Sequence, residues 1–400
     1  MANTSGAVRA ADEQPGRIPR HELTITNDTR LRLRGRAISV DLTLFIGSRR
    51  MGRSFAYESG GHVFQAPAGY YANRGIWDSP PGYEHDRAPD FSRPITSECL
   101  FCHATRSRVA PESVNRFAEI VHGIQCERCH GGGAAHDRLL NPPELAPRLR
   151  DSVCEQCHLN GAVRLVRSGR KLEDFRVGEN LADYLEVLLM PEASREVRVN
   201  GHSEALALSR CKRAAGDRLW CGTCHNPHRA ANYNAVCQSC HTKPHRTGDC
   251  VSCHMKKSRA VDGGHTVFTD HTILPARPPA TLVSYFGRTL TPRDLGLGFA
   301  QLGAQRRDPT LLAKAWPLLR RAAGPKPHDP LLYATIASLL QADGRKDQAI
   351  AYYRLSLRQD PIQPDTLGKL AALLGDSEEA RRLRARSAQL LGVGHGSGME

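Results

Sequence analysis

Cys99-Leu-Phe-Cys102-His103, Cys126-Glu-Arg-Cys129-His130, Cys154-Glu-Gln-Cys157-His158, Cys221-Gly-Thr-Cys224-His225, Cys237-Gln-Ser-Cys240-His241 and Cys250-Val-Ser-Cys253-His254 are six copies of one pattern. In each, two cysteines stand two residues apart and histidine follows at once. Cys-x-x-Cys-His is the attachment sequence of c-type haem. The two thiols add to the haem vinyl groups and the adjoining imidazole takes the iron as proximal ligand. A zinc ribbon needs the cysteine pairs but not a histidine after each. With 18 histidines in 400 residues, six such neighbours arise by chance with odds of about 10⁻⁸. Cysteines two residues apart also make poor long-range disulfide staples. Twelve of the 13 cysteines are consumed, and Cys211 is left as a small packed hydrophobe. The expected cofactors are six c-type haems, with His103, His130, His158, His225, His241 and His254 as proximal ligands.

Composition agrees with a cofactor-filled interior. Aromatic residues are only 6% of the chain, thin for a conventional core of this size, and porphyrins would supply the missing apolar surface. The net charge of +14 by itself suggests nucleic acid or another acidic partner. Six haems, each with about two propionates, would add roughly −12 and nearly cancel it. The basic residues therefore read as propionate partners, and nucleic-acid binding is not expected. No apolar run reaches membrane-spanning length. Covalent haem attachment implies an exported or periplasmic protein, yet Met1 to Arg20 holds no hydrophobic signal core. A start truncated upstream is the expected explanation.

The pattern implies a mixed fold: a haem-organised domain with little regular structure and a small N-terminal β-region, then an all-α repeat domain. Residues 1–20 read as disordered and 21–96 as a β and loop region. Leu31, Leu33, Ile38, Val40, Leu42, Leu44 and Ile46 alternate with polar positions, and Asn27-Asp28 supplies a turn. From Gly60 to Pro94, glycine, proline and aromatics suggest ordered loops. The hexahaem domain is expected over 97–274. Its long interval between His158 and Cys221 holds a strand (Val163 to Val166) and a helical stretch (Leu181 to Leu189). Pro275 to Pro279 opens a linker, 275–295. Beyond it Phe299, Leu302, Gly303, Ala315, Leu319 and Pro327 recur 34 residues later as Tyr333, Ile336, Ala337, Ala349, Tyr353 and Pro361. This is the tetratricopeptide period, predicting repeats at 296–329 and 330–363 with a partial copy at 364–391.

Low-spin electron carriers need a second axial ligand on each iron, commonly histidine. His228, three residues after His225, cannot reach the opposite face of the haem that His225 holds, so it is expected to ligate a neighbour. His136, beyond the glycines that follow His130, is expected to do the same. His122, His202, His265 and His271 complete the distal set. His21, His328 and His395 are expected to face solvent.

The stretches Cys-Glu-Arg-Cys-His-Gly-Gly-Gly, Cys-His-Asn-Pro-His, Gly201-His202-Ser203-Glu204 and His-Thr-Val-Phe-Thr-Asp-His resemble bacterial multihaem cytochromes with C-terminal tetratricopeptide repeats. Those belong to the superfamily of hydroxylamine oxidoreductase, pentahaem nitrite reductase and the tetrahaem cytochrome of ammonia oxidisers. The resemblance implies stacked haem pairs and raises an enzymatic alternative. The Cys-x-x-Cys-Lys motif of the nitrite reductases is absent here, and none of the ten tyrosines is identifiable as a crosslinking one. Two functions follow as expectations. The first is electron transfer along six haems, with redox partner proteins docking on the repeats. The alternative is an oxidoreductase acting on a small nitrogen or sulfur species at a five-coordinate haem.

Overall fold

The computed structural model describes residues 4–36, 38–83, 86, 88–132, 139–190, 196–243, 248–273, 281–324 and 328–393. Nine short strands open the chain: β1 (Ser5–Ala7), β2 (Gly16–Ile18), β3 (Leu23–Asn27), β4 (Leu31–Arg34), β5 (Ser39–Asp41), β6 (Leu44–Ile46), β7 (Arg53–Ser59), β8 (His62–Tyr71) and β9 (Ile76–Asp78). They form two antiparallel sheets, ordered β1-β6-β7-β8-β9 and β2-β3-β4-β5. Ile18, Leu23, Ile25, Leu31 and Leu33 of one sheet meet Phe45, Phe55, Phe64, Ala66 and Trp77 of the other in one buried core. The alternation around Leu31, Leu33 and Leu42 is the half-buried pattern read from the sequence.

Two expectations for this region are corrected. Residues 4–20, the described part of the expected disordered stretch, are ordered: β1 pairs with β6 and Ile18 is fully buried. Residues 62–71 and 76–78 are strands rather than loops. Gly60 and Gly61, with φ of 56° and 78°, form the two-residue turn of a hairpin in which Ser59 faces His62.

The middle of the chain carries six short helices, one at each Cys-x-x-Cys-His: α1 (Ser97–His103), α2 (Glu127–His130), α3 (Pro147–His158), then after α4 (His202–Ala207) and α5 (Arg210–Ala215), α6 (Cys221–Cys224), α7 (Tyr233–Cys240) and α8 (Cys250–His254). On a helix, residues three and four apart share a face, so the cysteine pair of each motif lies on one side, joined by the imidazole in α1, α2, α3 and α8, while His225 and His241 fall just past the ends of α6 and α7. Strands β10 (Ala104–Val109) and β11 (Phe117–His122) form a ribbon after the first motif. Strand β12 (Val163–Val166) matches its expected span and pairs with β13 (Leu185–Leu189).

Of the helix expected at Leu181 to Leu189, Leu181–Asp183 form a 3-10 turn, and Leu185–Leu189 form β13 instead. It is the central strand of its sheet and is buried on both faces, and such a continuous apolar run has no periodicity to separate strand from helix. Strand β14 (Lys257–Arg259) pairs with β15 (Val267–Thr269). The expected linker is corrected over its described part. Strand β16 (Val283–Ser284) joins β13, and Tyr285 and Phe286 pack on a core with Phe101 and Leu159.

Six helices follow as three antiparallel pairs: α9 (Pro292–Arg306) with α10 (Pro309–Ala322), α11 (Pro330–Ala342) with α12 (Lys346–Gln359), and α13 (Pro364–Leu374) with α14 (Glu378–Leu391). Proline opens α9, α10, α11 and α13, and Thr291, Asp308, Asp329 and Ser377 accept from backbone N–H groups at their starts. A Cβ on Gly303 would lie 2.6 Å from Leu312, so only glycine lets α9 and α10 approach this closely.

These helices are not a separate appendage. Val163, Leu165 and Leu188 from the haem-motif region share one core with Leu297, Leu319, Ile336 and Tyr353. At the far end Leu390 is buried, its carbonyl accepts from Val114 N–H and Ser113 Oγ, and Arg386 pairs with Glu112. Val393 joins the core of the N-terminal sheets. The helical array thus arches from the middle of the chain back to its β-region.

Candidate haem-attachment array

The first three motifs interlock through the residues between their cysteines. Arg128 of the second motif donates to the Phe101 carbonyl of the first and lies 4.3 Å from the centre of the Phe101 ring. Gln156 of the third motif donates to the Arg128 carbonyl at 3.1 Å. Glu155 accepts from Tyr285 at 2.7 Å and pairs with Arg148. Glu155 and Gln156 are both buried, which makes the third motif the fixed point of the group. These four residues were missed in the sequence, where the positions between the cysteines look arbitrary.

Contacts between the motif segments order the motifs in space. Cys102 Sγ lies 3.7 Å from the Gln156 carbonyl oxygen, so the first motif adjoins the third. Arg150, on the helix of the third motif, donates to the Asp217 carbonyl at 3.1 Å and lies 4.7 Å from the ring of Trp220, the residue before Cys221, so the third adjoins the fourth. His225 and Tyr233 meet edge to face with ring centres 5.6 Å apart, which links the fourth to the fifth. Cys250 N–H donates to Asn234 Oδ1 at 2.9 Å, so the fifth adjoins the sixth. No two of the cysteines form a disulfide. Cys211 has its thiol pushed up by burial and remains protonated.

The imidazoles also come together. His130 and His228 stack with ring centres 5.8 Å apart, so His228 lies beside the histidine of another motif. His202 lies 5.5 Å from His158 and 4.7 Å from His271, and His271 lies 6.0 Å from His225. Desolvation by the surrounding protein pulls the pKa values of His103, His158, His225 and His271 down, and that of His202 down to about 3. These rings are thus held neutral, the form that binds a metal.

Hydrogen bonds orient several of them. His130 Nδ1–H donates to the Leu140 carbonyl at 2.8 Å and His271 Nδ1–H to the Thr269 carbonyl at 2.9 Å. Both leave Nε2 available for iron, the arrangement found around metal-bound imidazoles. His122 bonds Ser5 Oγ through Nδ1 at 3.2 Å and sits on β11 opposite Ala104, the residue after His103. Glu204, also missed in the sequence, is buried and accepts from Gly161 N–H at 2.6 Å, tying the turn of His202 to the segment after His158. Its burial raises its pKa.

One distal candidate has other partners in the protein itself. His265 Nε2 bonds Asp78 at 2.6 Å and its Nδ1 bonds Arg74 at 2.9 Å, contacts that fasten the last haem-region loop to β9. His136 lies outside the described residues. His228→Met is expected to shift the spectrum or potential of the haem on His130 while leaving the covalent haem count unchanged. An unaltered visible spectrum and potential would remove His228 from the ligand set.

One observation fits the residues to haem: no described residue from Arg210 to Arg259 is buried, although this stretch carries three motifs. Such a segment has no protein core to hold it, whereas attached porphyrins would provide one.

Residues 83–131, which contain the first two motifs, match the family model described as cytochrome c554 and c-prime. The multihaem cytochrome MtrA of Shewanella baltica (strain OS185) is 26% identical over 161 residues, covering 35% of this chain and 48% of that protein. The chain thus spans about half the length of that curated relative. The crystal structure of the outer cell wall cytochrome OcwA aligns over 88% of both chains at 15% identity, with a TM-score of 0.41. The sequence matches and the six motifs together support a multihaem c-type cytochrome, a haem-binding electron-transfer class. Among the described residues no helix is long and apolar enough to cross a membrane.

Proposed function

We propose that this chain carries electrons along six covalently attached haems held by the cysteines and proximal histidines of its six motifs. The contact of successive motifs, with imidazoles of His202, His228 and His271 set against proximal rings, supports this reading most directly. When bound, haem supplies one-electron chemistry at a potential set by its axial ligands and burial. The chain's own residues hold neutral imidazoles in place, so geometry changes little between redox states. The three helix pairs are read as tetratricopeptide repeats, because small residues fill the tight contacts at Gly303, Ala337 and Ala349. The finer placement within the hydroxylamine oxidoreductase superfamily, and an exported location, belong to the same proposal.

The observation at His265 favours a second reading. With that ring engaged elsewhere, the distal set falls to His122, His136, His202, His228 and His271, five imidazoles for six irons. An iron left five-coordinate would suit an oxidoreductase acting on a small nitrogen or sulfur species. The carrier reading expects six haems per chain by the reduced pyridine adduct and only low-spin ferric signals in electron paramagnetic resonance. A high-spin signal amounting to one haem in six, with carbon monoxide binding in the same ratio, transfers the assignment to the enzyme.

A further inference from the structure

Arginine outnumbers lysine in this chain by 46 to nine, and no lysine precedes Lys171. Four of the nine lysines fall between Arg210 and Arg259, where ten basic residues face only two acidic ones, Asp217 and Asp249. This stretch supplies +8 of the net +14. Three haems there would add about six propionate charges, so positive charge remains in excess.

The positions of these lysines are ordered. Lys243 stands two residues after proximal His241, Lys256 two residues after proximal His254, and Lys257 follows. All three are exposed, and none has a carboxylate partner among the described residues. Lys212, by contrast, reaches Asp151 at 3.7 Å, and Lys369 pairs with Asp365. The hydrogen bond from Cys250 N–H to Asn234 Oδ1, at 2.9 Å, sets the fifth and sixth motifs side by side, and Cys240 and Cys253 are exposed while the third motif is fixed in the interior. Arginine's planar fork suits lasting pairs with carboxylates, propionates included. Lysine's hydrated point charge suits an encounter that must form and break quickly.

We propose that this end of the array is the docking surface for an acidic electron-transfer protein, with Lys243, Lys256 and Lys257 supplying the steering charge. The proposal rests on the haem array proposed above. Its test is the second-order rate at which a reduced, acidic [2Fe–2S] ferredoxin reduces the haem-loaded full chain. K243E/K256E/K257E is expected to slow that rate at low ionic strength at least about tenfold, and added salt to bring the unsubstituted chain down to the same level. K314E/K346E/K369E, an equal charge change on the helical array, should stay within about twofold, since only charge near the docking point steers. A neutral small-molecule reductant should reduce both variants at the unsubstituted rate.

Equal slowing by both triple variants, no slowing at all, or slowing that salt does not modulate would overturn the docking surface. So would a loss of binding to anionic phosphatidylserine vesicles in K243E/K256E/K257E with its ferredoxin rate intact. Failure of the haem array itself would show separately, as fewer than six haems per chain or haems that the neutral reductant cannot reach.

Discussion

Chain made without haem is expected to be cut by a non-specific protease throughout residues 210–259 while the six C-terminal helices survive. No described residue in that stretch is buried, and its helices α5 to α8 are at most eight residues long, too short to persist unsupported in water. The helices from α9 to α14 share a continuous apolar core and need no cofactor. Attached haem is expected to slow cleavage of 210–259 by at least about 100-fold, equivalent to about 3 kcal/mol of local stability. Limited proteolysis with mass mapping of the cysteine-to-alanine chain beside the haem-loaded one reads this directly. Equal resistance in both would mean that the polypeptide alone holds the segment, and the cofactor would lose its structural role.

Arg167→Ala is expected to cost about 3 kcal/mol in urea unfolding. Glu186, on the central strand β13, is 1% exposed. Its carboxylate accepts from Arg167 at 2.8 Å and from Ser284 Oγ of β16 at 2.6 Å. Arg167 also lies 3.9 Å from Asp294 at the start of α9. Removing the guanidinium strands a buried carboxylate where the haem-motif sheet meets the helical array. Arg167→Met combined with Glu186→Leu and Ser284→Ala removes the whole polar set and should recover most of the loss. A cost well under 1 kcal/mol for Arg167→Ala would show that water already shields Glu186 and that this junction is held by apolar packing alone.

What could be read from the sequence was local. The motifs, the alternation around Leu31 to Leu42 and the repeating helix pairs each carry their signal within a few residues or at a fixed period. What escaped depends on distant partners. Strand β1 is three residues long and exists only because Ile46 and its neighbours accept it. The two glycines at 60 and 61 read as loop until the runs on either side are seen to pair. Strand β13 is apolar at nearly every position, so its type is settled by β12 and β16 flanking it. The contact of His265 with Asp78 joins residues 187 apart, and nothing in the local sequence announces it.

The junction of Leu390 and Val393 with the opening sheets carries a consequence for assembly. Chains fold from their N-terminal end as they emerge, and α14 emerges after all six motifs. Its latch onto Ser113 and Val114 therefore closes last, and only then is the circuit from the opening sheets through the six motifs to the helical array complete.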